Sequence, residues 1–549
     1  MSSMRIRPAS WITFIVLLLA IVPSAVWAQA VTPFQILGHL KTFELVDNAG
    51  NKIPDPSTAD QFSEARMVVN GIQIVIPKNL VITMPAAYKT PQQLFKEATG
   101  PSNTNNVSGL ALDDIPSPLA AFEVAIDGNI VGDTYIAGLV SISQQSLNTS
   151  AGYIHAIDVN TGVICVGGNP AGVICAPGDA RLRLNDPKPD GEVSGRYGLS
   201  NEEQFPVPPG NPASPPFNPA DPRFPDSRFT VDQDNPTVHA LTGFPMCVPR
   251  PRLPIDQECP DTNRPAGLTK FVMDNAELVP PVRFGPDSIT ACPVCDATKQ
   301  APLKVGDYIT YAGTLSQDAQ GQFISVHTLV ANVGIYTGRG KNPAYVTLDE
   351  SLIGTMGRLA DCVGPAAAAP TAECQDRVKI EGFTTDPSRS VSLYALDFAT
   401  NGLKPTVRRL VPGVPGVVTQ AVFGRFRFVT GKNALALFAP GNITMGATRE
   451  LMIRIDDPIP LLDGTEKPEP PKFANGLGAG QYTAPVGEYI FPEPTGVQGR
   501  PQPALNFECL AFLVNGWSPD EVIFTGQLTP WPGAPLPIPP DPTPPVRCQ

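Results

Sequence analysis

The sequence predicts a mainly β protein, built from several β-barrel or β-sandwich modules that are joined by Pro-rich segments and disulfide bonds. Apolar residues recur with a period of two in short runs separated by turn residues, as in strands with one buried face. Proline accounts for 64 of the 549 residues, and charged residues for only 16%. Because 42% of the residues are hydrophobic, the chain can still form folded cores.

Residues 1–30 are predicted to be a signal peptide. Arg5 and Arg7 precede the apolar run WITFIVLLLAIVPSAVWA, and small residues suited to cleavage end at Ala28 and Ala30. An uncleaved anchor is the alternative, although the apolar run is short for a membrane span. We therefore expect a secreted protein, extracellular or periplasmic, with no integral membrane span after cleavage.

Residues 31–185 are predicted to form a β-rich barrel- or sandwich-like domain. In RMVVNGIQIVI, an Asn-Gly pair at 70–71 separates two β-branched runs, which predicts a hairpin. TPQQLFKEATG predicts a short helix with Thr90 as its N-cap and Gly100 at its end. VGDTYIAGLV at 131 is echoed by VGDYITYAGTL at 305, which indicates two related barrel-like modules.

Residues 186–300 are predicted to be a Pro-rich, disulfide-pinned connector, and residues 301–374 a second β module. FPVPPGNPASPPFNPADPRFPDSRF is too rich in proline for a helix or a central strand. Its phenylalanines favour a connector that docks on its neighbours over a freely flexible linker; they are Phe217, Phe224 and Phe229.

The next region, 375–457, holds RVKIEGFTTDPSRSVSLYALDFATNG, GRFRFV and TRELMIRI. These stretches resemble the Ig-like β-sandwich modules of secreted bacterial proteins. The resemblance implies a scaffold or spacer role and brings no catalytic residues. In GRFRFV, the alternation predicts that Phe426 and Phe428 point inward, with Arg425 and Arg427 toward solvent.

Ten cysteines in a secreted chain predict disulfides between near neighbours. Support is strongest in GVICVGGNPAGVICAPG, where the same four residues flank a turn. In the Pro/Gly-rich C-terminal region, 458–549, the last pair would hold the tail in place. The predicted pairs are Cys165–Cys175, Cys247–Cys259, Cys292–Cys295, Cys362–Cys374 and Cys509–Cys548.

The C-x-x-C of TACPVCDA is predicted to be a structural disulfide, with a redox-active pair or a metal ligand as alternatives. Asp296 stands where a haem attachment needs histidine, and the sequence offers no second C-x-x-C for a zinc ribbon. Nearby carboxylates such as Asp287 and Asp296 would raise a thiol pKa rather than lower it.

No catalytic, cofactor-binding or metal residue is assigned from the sequence. The histidines occur singly, and each is interpreted as a packed or surface residue: His39, His155, His239 and His327. Three acidic clusters have the oxygen chemistry of calcium sites, namely DVNTG, NDPKPDGE and DQDNP, although ordinary turn chemistry also explains them.

The net charge of −12 opposes nucleic-acid binding. The sequence therefore favours a secreted multidomain β protein that acts by binding or structure at the cell surface, matrix or envelope, with an unknown protein or glycan partner. Two alternatives stay open. One is an extracellular hydrolase that acts on polysaccharide with a carboxylate pair. The other is a periplasmic redox or metal-binding protein that uses Cys292 and Cys295.

Overall fold

The structure is a computed structural model, and its architecture confirms the mainly β prediction: 49% of the described residues are in strands and 6% in helices. The signal peptide and three of the predicted disulfide cysteines, Cys362, Cys374 and Cys548, lie outside the described residues. The structure describes residues 31–144, 149–159, 161–167, 175–187, 195–197, 226–249, 257–273, 289–318, 320–355, 372–373, 378–398, 405–415, 424–429, 448–455, 472–473, 476–491, 493–494, 502, 504–516 and 526–533.

The first module, barrel 1, closes five strands in the order β3-β2-β1-β6-β7, and a parallel β3–β7 pair completes the ring. Short elements connect the third and fourth strands of the barrel. The barrel strands and the elements that connect them are β1 (Val31–Val46), β2 (Glu64–Val69), β3 (Ile72–Ile76), β4 (Ile82–Thr83), β5 (Tyr88–Lys89), α1 (Pro91–Lys96), α2 (Pro101–Thr104), β6 (Glu123–Val131) and β7 (Thr134–Ser143), with a 3-10 turn at Pro56–Thr58.

Two local predictions are confirmed in barrel 1. Asn70 and Gly71 turn the β2–β3 hairpin with φ of 51° and 80°, the left-handed region that this turn requires. Thr90 caps α1 in a reciprocal capping box. The helix ends at Lys96, however, and not at the predicted Gly100, because the chain turns and starts a second short helix.

The second module, barrel 2, also closes five strands, in the order β10-β9-β8-β16-β17 with a parallel β10–β17 pair. Its strands come from both sides of the predicted connector, and one connector strand, β11, extends the sheet beside β17. These strands are β8 (Ser150–Asp158), β9 (Val163–Gly167), β10 (Ala180–Leu184), β11 (Val238–Ala240), β16 (Tyr308–Asp318) and β17 (Gly321–Ala331).

The two barrels share both connectivity and register. In each, the first strand lies between the second and the fourth, and the third and fifth strands are parallel. This is the connectivity of the OB-fold, a five-stranded Greek-key barrel. Leu40 opposite Val69 in barrel 1 corresponds to Ile154 opposite Val166 in barrel 2, with a one-residue bulge following in both first strands. Corresponding positions can therefore be compared residue by residue.

In both barrels, a glycine of the fourth strand lies opposite a bulge in the fifth strand. The register shifts directly before Gly128 in β6 and directly before Gly313 in β16. A Cβ at either glycine would collide with a carbonyl oxygen of the fifth strand, that of Ile136 or of Ser325. The same device therefore bends both barrels at the same place.

The Val-Gly-Asp echo does not fall on corresponding positions. Val131–Asp133 forms the turn between β6 and β7, whereas Val305–Asp307 precedes β16. Tyr308 lies five positions before Gly313, and Glu123 lies five positions before Gly128. Glu123, which is not part of the Val-Gly-Asp echo, therefore corresponds to Tyr308. The barrels are related by topology and register rather than by this motif.

The connector packs against both barrels. Phe229 is fully buried beside Phe122 of barrel 1, with ring centroids 5.1 Å apart. Phe217 and Phe224 lie outside the described residues. Short strands pair β12 with β15 and order β14-β13-β18 in two further sheets. They are β12 (Met246–Cys247), β13 (Lys270–Met273), β14 (Thr290–Cys292), β15 (Ala301–Pro302) and β18 (Gly334–Tyr336), with a 3-10 turn at Asp261–Asn263.

Two four-stranded sheets follow, in the orders β24-β21-β19-β29 and β23-β22-β25-β28. Phe426 is buried as predicted, and Arg427 is exposed. Small strand pairs complete the region, β20 with β30 and β26 with β27. The strands are β19 (Val346–Gly354), β20 (Ala372–Glu373), β21 (Val378–Thr384), β22 (Ser390–Phe398), β23 (Pro405–Pro415), β24 (Arg425–Val429), β25 (Glu450–Ile455), β26 (Lys472–Phe473), β27 (Leu477–Gly478), β28 (Gln481–Pro485), β29 (Glu488–Ile490) and β30 (Glu493–Pro494).

The C-terminal region closes over barrel 1. A 3-10 turn, Phe507–Cys509, leads into α3 (Ala511–Asn515). The ring of Phe507 covers Gly138 in β7, where a Cβ would overlap the ring. Asn129 in β6 donates from Nδ2 to the carbonyl oxygens of Leu505 and Pro532, at 2.9 and 2.6 Å. One continuous core thus joins barrel 1, the two facing sheets and this region.

Candidate functional site

The Cys292–Cys295 pair is a closed disulfide, as predicted. Its Cα atoms lie 5.4 Å apart, and the two residues are only 2% and 4% exposed. Cys292 ends β14, directly opposite Met273 of the parallel strand β13. Residues 293–299 form turns and bends rather than a helix, whose N-terminus would lower a thiol pKa. The bond therefore lies in a core rather than at a reactive surface.

Asn263 holds the loop that follows this disulfide. It is fully buried, and its Nδ2 donates to the carbonyl oxygens of Asp296 and Gln300 at 2.9 and 3.0 Å. Its Oδ1 accepts from the Asp296 amide at 2.8 Å. Asn263 lies shortly after Cys259, which is bonded to Cys247 as predicted. We call Asn263 and the two disulfides, Cys247–Cys259 and Cys292–Cys295, the disulfide block.

Arg264 connects the disulfide block to the start of β16. Its guanidinium binds the Asp307 carboxylate in a bidentate pair at 3.1 and 2.7 Å, with both side chains buried. It also donates to the carbonyl oxygen of Pro302 at 3.2 Å, and Asp307 accepts from the Lys304 amide at 2.9 Å. Bidentate charge-assisted pairs are strong and directional. The pair therefore fixes the backbone immediately before Tyr308.

Two tyrosines lie side by side on the outside of barrel 2. Tyr308 at the start of β16 is the direct strand partner of Tyr153 in β8. Their ring centroids are 5.1 Å apart with an interplanar angle of 70°, an edge-to-face pair. Despite this contact, Tyr153 is 45% exposed and Tyr308 39% exposed. Paired aromatic rings that stay in solvent on a rigid sheet are candidates for binding.

Val305 extends this surface. It is 52% exposed, and its loop lies against β8 because the Gly306 amide donates to the Ile154 carbonyl at 2.8 Å. In return, the Ile154 amide donates to the Asp307 carbonyl, also at 2.8 Å. We call Tyr153, Val305 and Tyr308, with their exposed neighbours Ala151 and Thr310 on the same face of the two strands, the tyrosine face.

Barrel 1 carries polar residues at the positions of the two tyrosines. His39 in β1 is the strand partner of Glu123 in β6, in the register that joins Tyr153 to Tyr308. His39 is exposed and Glu123 half-buried. Since barrel 1 has histidine and glutamate at these positions, the fold itself does not require aromatic rings there. The sequence reasoning missed the tyrosine face because only the barrel register brings its two strands together.

The face that OB-folds most often use for ligands, around the second and third strands, is engaged internally in barrel 2. Asp318 binds Arg181 at 3.0 and 3.1 Å and Arg183 at 3.0 Å. The Arg183 guanidinium lies 4.8 Å from the Phe323 ring centroid. Although burial opposes it, hydrogen bonds from Arg181 and the charge of Arg183 lower the pKa of Asp318. These groups stabilise the barrel wall.

The third disulfide lies beside this wall. Cys165 in β9 is bonded to Cys175, with Cα atoms 5.1 Å apart, so that three of the predicted pairs are confirmed. His155 packs nearby, with its Nδ1 3.0 Å from Asp179 Oδ2, and both side chains are buried. The carboxylate of Asp179 also accepts from the Ala176 amide at 2.7 Å. This cluster ties the disulfide loop to β8.

The other histidines are not brought together. His39 is exposed on barrel 1, whereas His239 and His327 are buried in β11 and β17. Desolvation lowers the pKa of both buried histidines to about 4. Within the described part of the chain, no three metal-binding side chains converge.

Two of the acidic clusters are turns in the structure. The Asp232 carboxylate accepts from the amides of Asp234 and Asn235 at 2.8 and 3.0 Å, and from the Asn235 side chain at 2.7 Å. The Asp158 carboxylate accepts from the Thr161 hydroxyl at 2.8 Å. Much of NDPKPDGE lies outside the described residues. Calcium binding stays a prediction.

One buried carboxylate in the facing sheets is surrounded by cations. Glu381 in β21 contacts Arg425, lies 2.7 Å from Arg427 and lies 3.6 Å from Lys379. Lys379 also binds Glu350, at 2.6 Å. The cross-strand partners thus neutralise the charge of Glu381, an arrangement typical of a structural ion-pair network. Arg425 and Arg427 lie on the solvent side of the sheet, as the alternation predicted.

A second exposed apolar group lies on the loop before β6. Leu112, Ile115 and Leu119 are 39%, 79% and 48% exposed. Trp531 packs against the core of barrel 1, while Trp517 lies outside the described residues. This loop has no paired aromatic rings, so we treat the tyrosine face as the stronger candidate.

Among the described residues, no helix is long and apolar enough to cross a membrane. Comparison with protein-family models, with curated proteins and with solved structures finds no match to this chain.

Proposed function

We propose that this chain is a secreted multidomain β protein that acts by binding, in association with the cell surface, the matrix or the envelope. The tyrosine face carries the proposal. Tyr153 and Tyr308 keep 45% and 39% of their surface in water, although barrel 1 shows that polar residues suit the same positions. Exposed aromatic side chains that pack together mark interaction sites, because each offers a large rigid contact area with a polar tip.

The residues that hold the tyrosine face in place favour the same proposal. The disulfide block and the Arg264–Asp307 pair hold the backbone before Tyr308. A preorganised surface loses little conformational entropy when it binds a ligand. Three disulfides also suit an oxidising compartment, in agreement with the predicted signal peptide and an extracellular or periplasmic location.

The facing sheets serve this proposal as a scaffold. We assign residues 375–457 the spacer role that their resemblance to Ig-like modules implies. The Glu381 network and the core shared with barrel 1 favour a rigid support. The hydrolase and redox alternatives have weaker support, because Glu381, Asp307 and Asp318 each face cations and the C-x-x-C disulfide is buried.

A swap between the barrels tests the proposal. Tyr153→His with Tyr308→Glu places the barrel 1 residues on barrel 2, in a register that already accepts them. Labelled full-length protein with intact disulfides is applied to washed cells and extracellular matrix of the producing organism. We expect the swap to reduce retention about tenfold, the effect of losing roughly 1.4 kcal/mol of binding free energy.

The matched control is His39→Ser with Glu123→Ser in barrel 1, which should leave retention unchanged. Circular dichroism and intact mass establish that both variants are folded and fully oxidised. Equal retention of the wild-type protein and the swap variant would refute binding through the tyrosine face.

A further inference from the structure

We infer that the ligand of the tyrosine face is a neutral glycan chain. This inference rests on the proposed function and names its ligand class. It follows from three properties of the face: its size, the uncharged residues exposed beside the rings and the polar groups at its border.

The size of the face suits sugar rings better than a protein. Its apolar part consists of three side chains, Tyr153, Val305 and Tyr308, on the adjacent strands β8 and β16 and the loop that precedes β16. A stable protein interface needs about 800 Å² and roughly 20–30 residues on each side. Two tyrosine rings 5.1 Å apart instead offer one ring face and one ring edge, an area on the scale of a few pyranose rings. The C–H faces of a sugar pack on such rings while its hydroxyls stay in water.

The charge pattern argues for a neutral ligand. Among the described residues, the exposed strand residues on the same face as the tyrosines are Ala151 and Thr310, neither of which is charged. The Asp179 carboxylate lies beside Gly167, the strand partner of Tyr153, and is buried against His155, 3.0 Å away. Lys304, in the adjacent loop, lies 3.7 Å from the Asp261 carboxylate. An anionic polysaccharide would meet a protein with a net charge of −12 and no arginine fork within the face.

The border of the face offers hydroxyl groups for orientation. Thr310 lies on the same face of β16, two positions from Tyr308, and its hydroxyl both donates and accepts hydrogen bonds. Each tyrosine adds a phenol of the same dual character. Such groups match sugar hydroxyls, which also donate and accept. The rigid Asp307 backbone keeps the donors and rings in one fixed arrangement.

Affinity electrophoresis tests the inference with soluble polysaccharides cast in native gels. The probes are a neutral β-1,4-glucan, a neutral β-1,3-glucan, a neutral mannan and, as the charged comparison, a polyuronate and a sulfated glucan. We expect at least one neutral polymer to retard the wild-type protein, and the charged polymers to leave its mobility unchanged. The Tyr153→His/Tyr308→Glu swap should weaken the apparent affinity about tenfold, and the barrel 1 control variant should behave as the wild type.

A graft gives the sharper result. His39→Tyr with Glu123→Tyr, introduced into the swap variant, rebuilds the ring pair on barrel 1 at corresponding positions. If two rings on this register suffice for binding, retardation returns; if the Val305 loop and the disulfide block are also needed, it stays absent. Either outcome supports the site, provided that the wild type binds and the swap does not.

The outcomes separate this inference from the proposed function. If the swap abolishes cell or matrix retention and no neutral polymer retards the wild type, the ligand is not a neutral glycan and the face binds a protein. If only the charged polymers retard the wild type, the neutral assignment is wrong. If the swap changes neither retention nor mobility, both the inference and the proposed function fail.

Discussion

Asp307→Asn is expected to destabilise barrel 2 and to loosen the tyrosine face. Asparagine keeps the shape of the side chain and can still accept from the Lys304 amide, which lies 2.9 Å away. It removes the charge that faces Arg264, whose side chain is only 4% exposed. Breaking a buried ion pair by removing one partner typically costs ~3–5 kcal/mol, because the other charge stays buried and uncompensated.

A double variant separates charge from packing. In Arg264→Met with Asp307→Asn, no buried charge is left, and methionine fills much of the guanidinium volume. The stability that the double variant loses relative to the wild type is then the hydrogen bond from Arg264 to the Pro302 carbonyl, at 3.2 Å, which contributes about 1 kcal/mol. We therefore expect the double variant to be more stable than the single variant by roughly 2–4 kcal/mol.

Hydrogen exchange measured by mass spectrometry is the suitable assay, because a multidomain chain need not unfold in one step. Peptides from β16 should lose protection in Asp307→Asn and regain most of it in the double variant. Peptides from β6 in barrel 1 are the internal control and should not change. A loss below ~1 kcal/mol, or a double variant as unstable as the single one, would refute our account of the ion pair.

Three further predictions follow from buried groups. Phe507→Ala should cost barrel 1 ~3–5 kcal/mol by opening a cavity over β7, measured as faster exchange in β6 and β7 but not in β16. His239 and His327 have a folded pKa of about 4 against 6.5 in the unfolded chain. Because the unfolded state binds more protons, the free energy of unfolding is highest above pH 6.5 and falls as the pH is lowered toward 4. This decrease in the free energy of unfolding, on the order of 3 kcal/mol per histidine, should lower the urea midpoint between pH 6.5 and pH 4. The decrease should be smaller in His→Gln variants. Cys292→Ser with Cys295→Ser should cost ~2 kcal/mol in the thermal unfolding of oxidised protein and should weaken glycan retardation, because the disulfide block supports the backbone before Tyr308; unchanged retardation would show that this disulfide does not preorganise the face.

Features set by neighbouring residues could be predicted from the sequence. The Asn70–Gly71 hairpin depends on two residues that accept positive φ, and the capping box at Thr90 depends on four consecutive positions. The three observed disulfides join cysteines only 3, 10 and 12 positions apart, so proximity along the chain already favoured them. Local chemistry decides each of these features.

The tyrosine face could not be predicted in this way. Tyr153 and Tyr308 are far apart in sequence and meet only because β8 and β16 are neighbours in a closed barrel. Periodicity assigns each tyrosine to the outside of some strand but does not name the partner strand. The parallel pairs that close the barrels, such as Leu182 with Ile324, are likewise set by topology rather than by any local motif.

Comparing the sequences of the two barrels does not reveal their shared register, because the side chains at corresponding positions differ. Gly138 in barrel 1 corresponds to His327 in barrel 2, since each is the unpaired residue of the fifth-strand bulge. What persists is the fourth-strand glycine opposite this bulge, Gly128 or Gly313, where only a missing Cβ allows the close backbone approach. A motif search for matching letters therefore finds the wrong pair of segments.

The two barrels share their connectivity and register but pack against different parts of the protein. In barrel 1 the fifth-strand bulge is Gly138, and the space it leaves is filled by Phe507, so that barrel 1 shares one core with the facing sheets. In barrel 2 the corresponding residue is His327, and the barrel has a separate core that it shares with the disulfide-bonded connector. Barrel 1 thus belongs to the scaffold. Barrel 2 packs on the disulfide-bonded connector, and its strands β8 and β16 carry the tyrosine face. This division agrees with the exposed tyrosine pair of barrel 2 at the positions where barrel 1 has His39 and Glu123.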